Sequence, residues 1–122
     1  MDTYSKSDLQ NQANTLKKLI DAINQQAQRD FIANKISQEQ FSNINLDLQF
    51  LDNNWNRLNT KILITEFDSL ALSSPGNQLV QATAKLEEAA EHLDDLRNFI
   101  LASATVINVI TSILLALAKV PL

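Results

Sequence analysis

His92 is the single histidine of this 122-residue chain, and two carboxylates lie near it at helical spacing. Glu88 is one turn before it and Asp95 one turn after it, so the three side chains would share one face of a helix. The di-iron signature of helical bundles requires Glu-x-x-His, however, and here Ala89 occupies the position of the glutamate. Zinc motifs that require two histidines are excluded as well. We therefore interpret these residues as a solvated acidic face and predict no metal site.

Nothing else in the chain carries a catalytic signature. The single glycine, Gly76, is not part of a phosphate-binding loop, and no serine lies in a nucleophile elbow. Without cysteine there is no disulfide framework and no thiolate metal site. The formal net charge is −4 and the basic residues are scattered, whereas nucleic-acid-binding proteins normally carry a basic stripe. We predict no enzyme activity, no cofactor, no nucleic-acid partner and no small-molecule substrate.

The most informative stretch of the sequence is uncharged. Residues 98–118 contain no Asp, Glu, Lys or Arg, and Arg97 and Lys119 flank them. As a helix with a rise of about 1.5 Å per residue, this stretch is roughly 30 Å long, which matches the hydrocarbon core of a bilayer. No basic cluster suited to anionic lipid lies next to it in the sequence. Either a membrane or a protein surface has to remove this apolar length from water.

Three hypotheses account for residues 98–118, and we favour membrane insertion. Thr105, Asn108 and Ser112 would then face another helix or water, because polar side chains are costly in contact with lipid. Their spacing places them on one line, which predicts a hydrogen-bonded contact between helices or the lining of an oligomeric pore. The alternatives are a central helix buried on all sides of a compact bundle, and a homo-oligomer that buries the segment between copies.

We assign the membrane or assembly role to the residues of this helix that carry its apolar stripe and its polar line. They are Phe99, Ile100, Thr105, Ile107, Asn108, Ile110, Ser112, Leu114 and Leu117. The five aspartates and glutamates between residues 87 and 95 would keep the preceding part of the helix out of the membrane, because carboxylates enter hydrocarbon at a high cost.

The remaining chain has to position this segment, and its pattern is helical. Ser7-Asp8-Leu9-Gln10 has the pattern of a capping box, and apolar residues follow on one face, which predicts a first helix over about residues 8–34. Ser37-Gln38-Glu39-Gln40 repeats the pattern and begins a second helix, which we extend to about Leu72. Its stripe of Phe41, Ile44, Leu48, Leu51, Trp55, Leu58 and Ile62 indicates a packed helical partner, with Trp55 in the core.

Two alternatives concern the number and type of these elements. Residues 44–50 alternate apolar and polar as in a strand, but the heptad pattern continues through them and no turn residues bound them, so we reject the strand. After the break at Ser73-Ser74-Pro75-Gly76-Asn77, with Ser74 as cap and Pro75 in the first helical position, one register runs from Leu79 to Leu117. It predicts a single helix of about 40 residues, roughly 60 Å long, with a hinge near Arg97 and Asn98 as the alternative.

The sequence therefore predicts an all-α, antiparallel bundle of three long helices, or four with the hinge. Residues 1–97 form the amphipathic bundle, and residues 98–122 form the apolar C-terminal helix and a short tail. The N-terminus has no apolar h-region, so we expect no signal peptide and a protein that is membrane-associated or moves from the cytoplasm to a membrane.

The layout of long helices ending in one apolar segment looks like that of tail-anchored proteins and of α-helical pore-forming effectors. This similarity is architectural, and it assigns no residue roles. The function we favour is a membrane-associating, self-assembling helical protein that permeabilises membranes. The alternative is an interaction module or structural subunit whose C-terminal helix docks on a partner or on other copies.

Overall fold

The computed structural model describes residues 3–66, 69–71 and 76–119, and these residues form an all-α bundle, as predicted. Within them the chain has four helices and one pair of very short strands. The elements are β1 (Thr3–Ser5), α1 (Lys6–Ile32), α2 (Gln38–Ile64), β2 (Ser69–Ala71), α3 (Gly76–Ala90) and α4 (Leu96–Ala118). β1 and β2 pair antiparallel, with Thr3 opposite Ala71. Of the two helix counts that the sequence left open, the structure has four.

Capping boxes begin both α1 and α2, although the first lies two residues earlier than predicted. The Ser5 hydroxyl accepts from the Asp8 amide, and the Asp8 carboxylate accepts from the Ser5 amide at 3.0 Å. Ser37 and Gln40 form the second capping box, as the sequence predicted. Each box satisfies two amides that a helix N-terminus otherwise leaves unbonded. Between the two helices, Asn34 takes a left-handed conformation with φ 62°, which asparagine adopts more readily than most residues.

α2 ends at Ile64, so its predicted extension to Leu72 is wrong. Thr65 has an extended backbone, and Ser69–Ala71 lies in β2 instead of a helix. The Lys6 ammonium donates to the carbonyls of Leu63 and Thr65 at the end of α2, where a cation complements the partial negative charge of the helix C-terminus. The strand predicted as the rival within residues 44–50 is absent from the described chain, since α2 is helical throughout. The predicted Ser74 cap and Pro75 lie outside the described residues.

A turn over residues 91–95 divides the single 40-residue helix that the sequence favoured. The amides of Glu91, His92 and Asp95 bond to carbonyls three residues earlier, and the Asp95 carboxylate then caps α4 by accepting from the Asn98 amide at 3.3 Å. Leu93 is buried within this turn. A straight helix would run about 20 Å past the ends of α1 and α2 and leave its apolar surface uncovered, whereas folding back at the turn covers one face.

The four helices run up, down, up and down around one core. α1 packs on α2, α3 packs on α4, and the two hairpins meet through α2 with α4 and α1 with α3. Trp55 was predicted in the core and lies at its edge, half-buried, with its indole Nε1 donating to the Ala13 carbonyl at 2.7 Å. The buried side chains include Leu9, Leu16, Ile23, Ile44, Leu51, Leu58, Ile62, Leu79, Leu86, Leu93, Phe99 and Ile110.

Candidate functional site on the C-terminal helix

One face of α4 belongs to the bundle core. Its buried residues are spaced by four and three along the helix, and α2 and α3 cover them. The stripe consists of Phe99, Ser103, Val106, Ile110, Ile113 and Leu117. It shares Ile110 and Leu117 with the stripe predicted from the sequence, but Val106 and Ile113 are buried in place of Ile107 and Leu114. The helix is thus turned slightly about its axis relative to the predicted orientation.

The opposite face of α4 is exposed and carries large apolar side chains but no charged ones between Arg97 and Lys119. Leu101 and Leu115 retain 58% and 61% of their surface in contact with solvent, and Ile100 retains 41%. By length and composition α4 can cross a membrane, and it is the one helix of the described chain with that property. Only 33% of its apolar stretch is buried. The hypothesis of a central helix buried on all sides therefore does not describe this fold.

The predicted polar line lies on this exposed face. The Thr105 hydroxyl donates to the Leu101 carbonyl at 3.0 Å, and the Ser112 hydroxyl donates to the Asn108 carbonyl at 3.2 Å. Thr111 makes the same contact to Ile107 at 3.0 Å. The side-chain amide of Asn108 has no hydrogen-bond partner among the described residues, and it is therefore the polar group of the line that remains available to another molecule.

The nine residues assigned to the membrane or assembly role divide between the two faces of α4. Those on the exposed face are Ile100, Thr105, Asn108 and Ser112. Those buried or half-buried in the bundle are Phe99, Ile107, Ile110, Leu114 and Leu117. Phe99, Ile110 and Leu117 are fully covered and become available only when α4 leaves the bundle, whereas Ile107 and Leu114 are half-buried at its edge.

The end of α2 adds exposed residues that the sequence interpretation did not include in the site. Leu63 and Ile64 retain 57% and 66% of their surface in solvent. Ile64 lines a groove of about 500 Å³ together with Arg57, Lys61 and Leu114. The signal was present in the increasingly apolar last turns of α2, but only the parallel packing of α2 and α4 brings those turns beside Leu114.

A polar pair lies within the contact between α2 and α4. Asp47 of α2 faces Ser103 of α4, and Asp47 Oδ2 and Ser103 Oγ are buried without hydrogen-bond partners in the described residues. Burial raises the pKa of the Asp47 carboxyl. The nearby Ser103 hydroxyl opposes part of this rise, although the pair is not in hydrogen-bond geometry. No ionisable side chain of α4 between Arg97 and Lys119 can neutralise the carboxylate.

Replacing Asp47 by Asn is expected to stabilise the bundle at neutral pH. Folding raises the pKa of the Asp47 carboxyl. The protonated carboxyl therefore adds to the stability of the fold below its ordinary pKa of 3.8, and this contribution is lost as the pH rises through the folded-state pKa. The variant should have a higher free energy of unfolding than the native chain at pH 7, and no gain is expected well below pH 3.8. Urea unfolding at both pH values measures the difference. Asp94→Asn in the exposed turn is the control and should change little.

One of the acidic residues near His92 has a structural role. The Asp95 carboxylate is the N-cap of α4, a function that the sequence interpretation missed because it treated the helix as continuous. Across the described residues there is no group of three or more His, Cys, Asp or Glu side chains that could hold a metal ion.

The fold and this site define a four-helix bundle with one long apolar helix that is half-exposed. No family model, curated protein or solved structure matches the chain. Any function must therefore be argued from the surface of α4 and its neighbours.

Proposed function

We propose that this protein associates with membranes through α4 and assembles there with other copies. The observation that carries the proposal is the combination of length, absence of charge and incomplete burial in one helix. Leu96–Ala118 is long enough and apolar enough to cross a bilayer, yet only 33% of its apolar stretch is buried. Soluble proteins rarely leave large contiguous apolar surfaces in water without a partner for them.

The proposed function requires two arrangements of α4. In the compact arrangement, α2 and α3 cover Phe99, Ile110 and Leu117, while Leu101 and Leu115 face outward. In the inserted arrangement, the covered face is released and the whole helix enters lipid. More specifically, the protein is a small effector that permeabilises membranes by assembling several copies of α4. The polar line of Thr105, Asn108 and Ser112 supports assembly because a single-pass anchor has no use for it.

Two measurements on the purified chain test the proposal. The first is molecular mass by light scattering with and without detergent, and the second is release of a trapped dye from liposomes. We expect the protein to bind liposomes, to release dye, and to form a defined oligomer in detergent. A monomer that detergent does not change and that neither sediments with liposomes nor releases dye would overturn the proposal.

The second candidate is an interaction module whose α4 docks on a partner protein or on another copy. The exposed Leu101 and Leu115 on either side of Asn108 favour it, since apolar anchors around a polar group are typical of a specific protein contact. This function predicts an oligomer in buffer without detergent, or capture of a defined partner, and no binding to liposomes.

Replacing Asn108 by Leu distinguishes between two roles of α4, namely assembly with other copies and simple anchoring in the membrane. If the amide bonds to a neighbouring copy or lines a pore, its loss should weaken association by about 1 kcal/mol per contact and reduce dye release. A plain anchor should instead insert better, because the substitution removes a polar group from hydrocarbon. Dye release and cross-linking in liposomes measure the two effects. Ser42→Leu, at an exposed position of α2, is the control and should change neither.

A further inference from the structure

The groove between α2 and α4 combines cations with exposed apolar side chains. It is lined by Asn56, Arg57, Thr60, Lys61, Ile64 and Leu114, and we call it the basic groove. In the sequence Leu114 lies 50 positions or more after the α2 residues of the groove, so no basic cluster is visible beside the apolar stretch. The fold creates one because α2 and α4 run in the same direction and end together.

The two cations of the basic groove are not neutralised within the described part of the chain. Neither Arg57 nor Lys61 makes an ion pair there, whereas Lys17 pairs with Asp21 and Asp52. α2 has no carboxylate after Asp52, and α4 has none at all. Of the described carboxylates at this end of the bundle, Asp8 is held in its capping box and Glu66 follows α2.

Exposed apolar side chains lie at the same end of the bundle as these charges. Leu63 and Ile64 end α2, and Leu115 lies on the outer face of α4 at the same end of the bundle. The opposite end carries Glu87, Glu88, Glu91, Asp94 and Asp95 around the turn between α3 and α4. The bundle therefore has one end that is cationic and apolar and one end that is acidic.

We propose that the basic groove docks on anionic phospholipid headgroups. This inference rests on the proposed membrane association and adds to it the lipid class and the orientation of approach. Arg57 and Lys61 bind the phosphate and carboxylate groups of the lipid surface, while Ile64, Leu63 and Leu115 enter the boundary of the acyl layer. The acidic end faces away, because an anionic surface repels it. The C-terminal end of α4 is then the part of the apolar helix that reaches lipid first.

The charge complementarity sets the size of the expected effect. A cation close to an anionic membrane surface contributes roughly fivefold to the affinity, so the pair contributes roughly 30-fold. This contribution falls as the ionic strength rises, because salt screens it.

A vesicle sedimentation experiment tests the basic groove. The intact chain is titrated with phosphatidylcholine vesicles and with vesicles that also contain phosphatidylserine. We expect roughly 30-fold tighter binding to the anionic vesicles. Arg57→Gln with Lys61→Gln should remove that excess and leave binding to neutral vesicles unchanged. Lys18→Gln with Lys35→Gln alters the formal net charge by the same amount at exposed positions outside the groove, and should retain the excess.

The outcomes separate this inference from the proposed function. Equal binding of the intact chain to neutral and anionic vesicles overturns the basic groove but leaves membrane association in place. Equal losses in the two double variants also overturn it, because net charge alone would then explain the preference. Absence of binding to either kind of vesicle overturns both.

Discussion

Lysine in place of Ala104 is expected to reduce membrane insertion roughly a hundredfold while the bundle in solution keeps its stability. Ala104 is exposed, lies near the middle of Leu96–Ala118, and sits on the face of α4 that contacts neither α2 nor α3. A lysine at the centre of a membrane-spanning helix costs about 2.5 to 3.5 kcal/mol, whereas an exposed substitution in water changes the stability by less than about 0.5 kcal/mol. Liposome flotation and urea unfolding measure the two quantities independently.

The control for this variant is the same substitution outside α4. Ala22→Lys places the new charge on an exposed position of α1 and should affect neither insertion nor unfolding. If Ala104→Lys binds and permeabilises liposomes as well as the native chain does, then α4 does not enter hydrocarbon. The surface interaction would in that case involve a different part of the bundle.

Replacing Phe99 by Ala is expected to destabilise the bundle and to accelerate its action on membranes. Phe99 is fully buried at the start of α4, and removing its ring should lower the free energy of unfolding by about 3 to 5 kcal/mol. Because the same contacts hold α4 against the bundle, the variant should also release liposome dye faster than the native chain. Urea unfolding and the initial rate of dye release measure the pair of effects.

Two further variants keep this prediction testable if Phe99→Ala fails to fold. Ile110→Val removes one buried methylene on the same face and should cost about 0.5 to 1.5 kcal/mol, with a proportionally smaller gain in the rate of dye release. Leu115→Ala removes exposed apolar surface, so it should leave unfolding unchanged and slow the release. If destabilisation slows dye release as well, then the compact bundle itself, and not a released α4, is the form that acts on membranes.

The two long N-terminal helices were predictable because their signals are local. The stripe from Phe41 to Ile62 and the capping box at Ser37 depend on residues within a few turns of one another. The turn over residues 91–95 was not predicted as the favoured outcome, because the apolar register continues through it and Asp95 resembles the acidic residues before it. The turn forms because a folded hairpin buries more apolar surface than a straight helix, which is a property of the whole fold.

The candidate site was predictable in composition but not in its surroundings. The absence of charge from residues 98–118 and the alignment of Thr105, Asn108 and Ser112 on one side of the helix follow from the sequence alone. The exact buried stripe depends on how α4 rotates against α2 and α3, and a difference of one residue exchanges Ile100 for Phe99. The neighbouring Arg57 and Lys61 were missed because helix order in space decides which residues meet.

The exposed hydroxyl groups along α4 are bonded in a way that does not depend on the surrounding medium. Thr105, Thr111 and Ser112 each donate to a carbonyl one turn earlier in their own helix. They can keep these bonds when water is exchanged for acyl chains, so their dehydration costs less than that of a group bonded only to solvent. The amide of Asn108 has no such internal arrangement. In lipid, the amide of Asn108 would therefore determine how α4 is rotated about its axis. The helix would orient this amide toward a hydrogen-bond donor or acceptor of a neighbouring molecule.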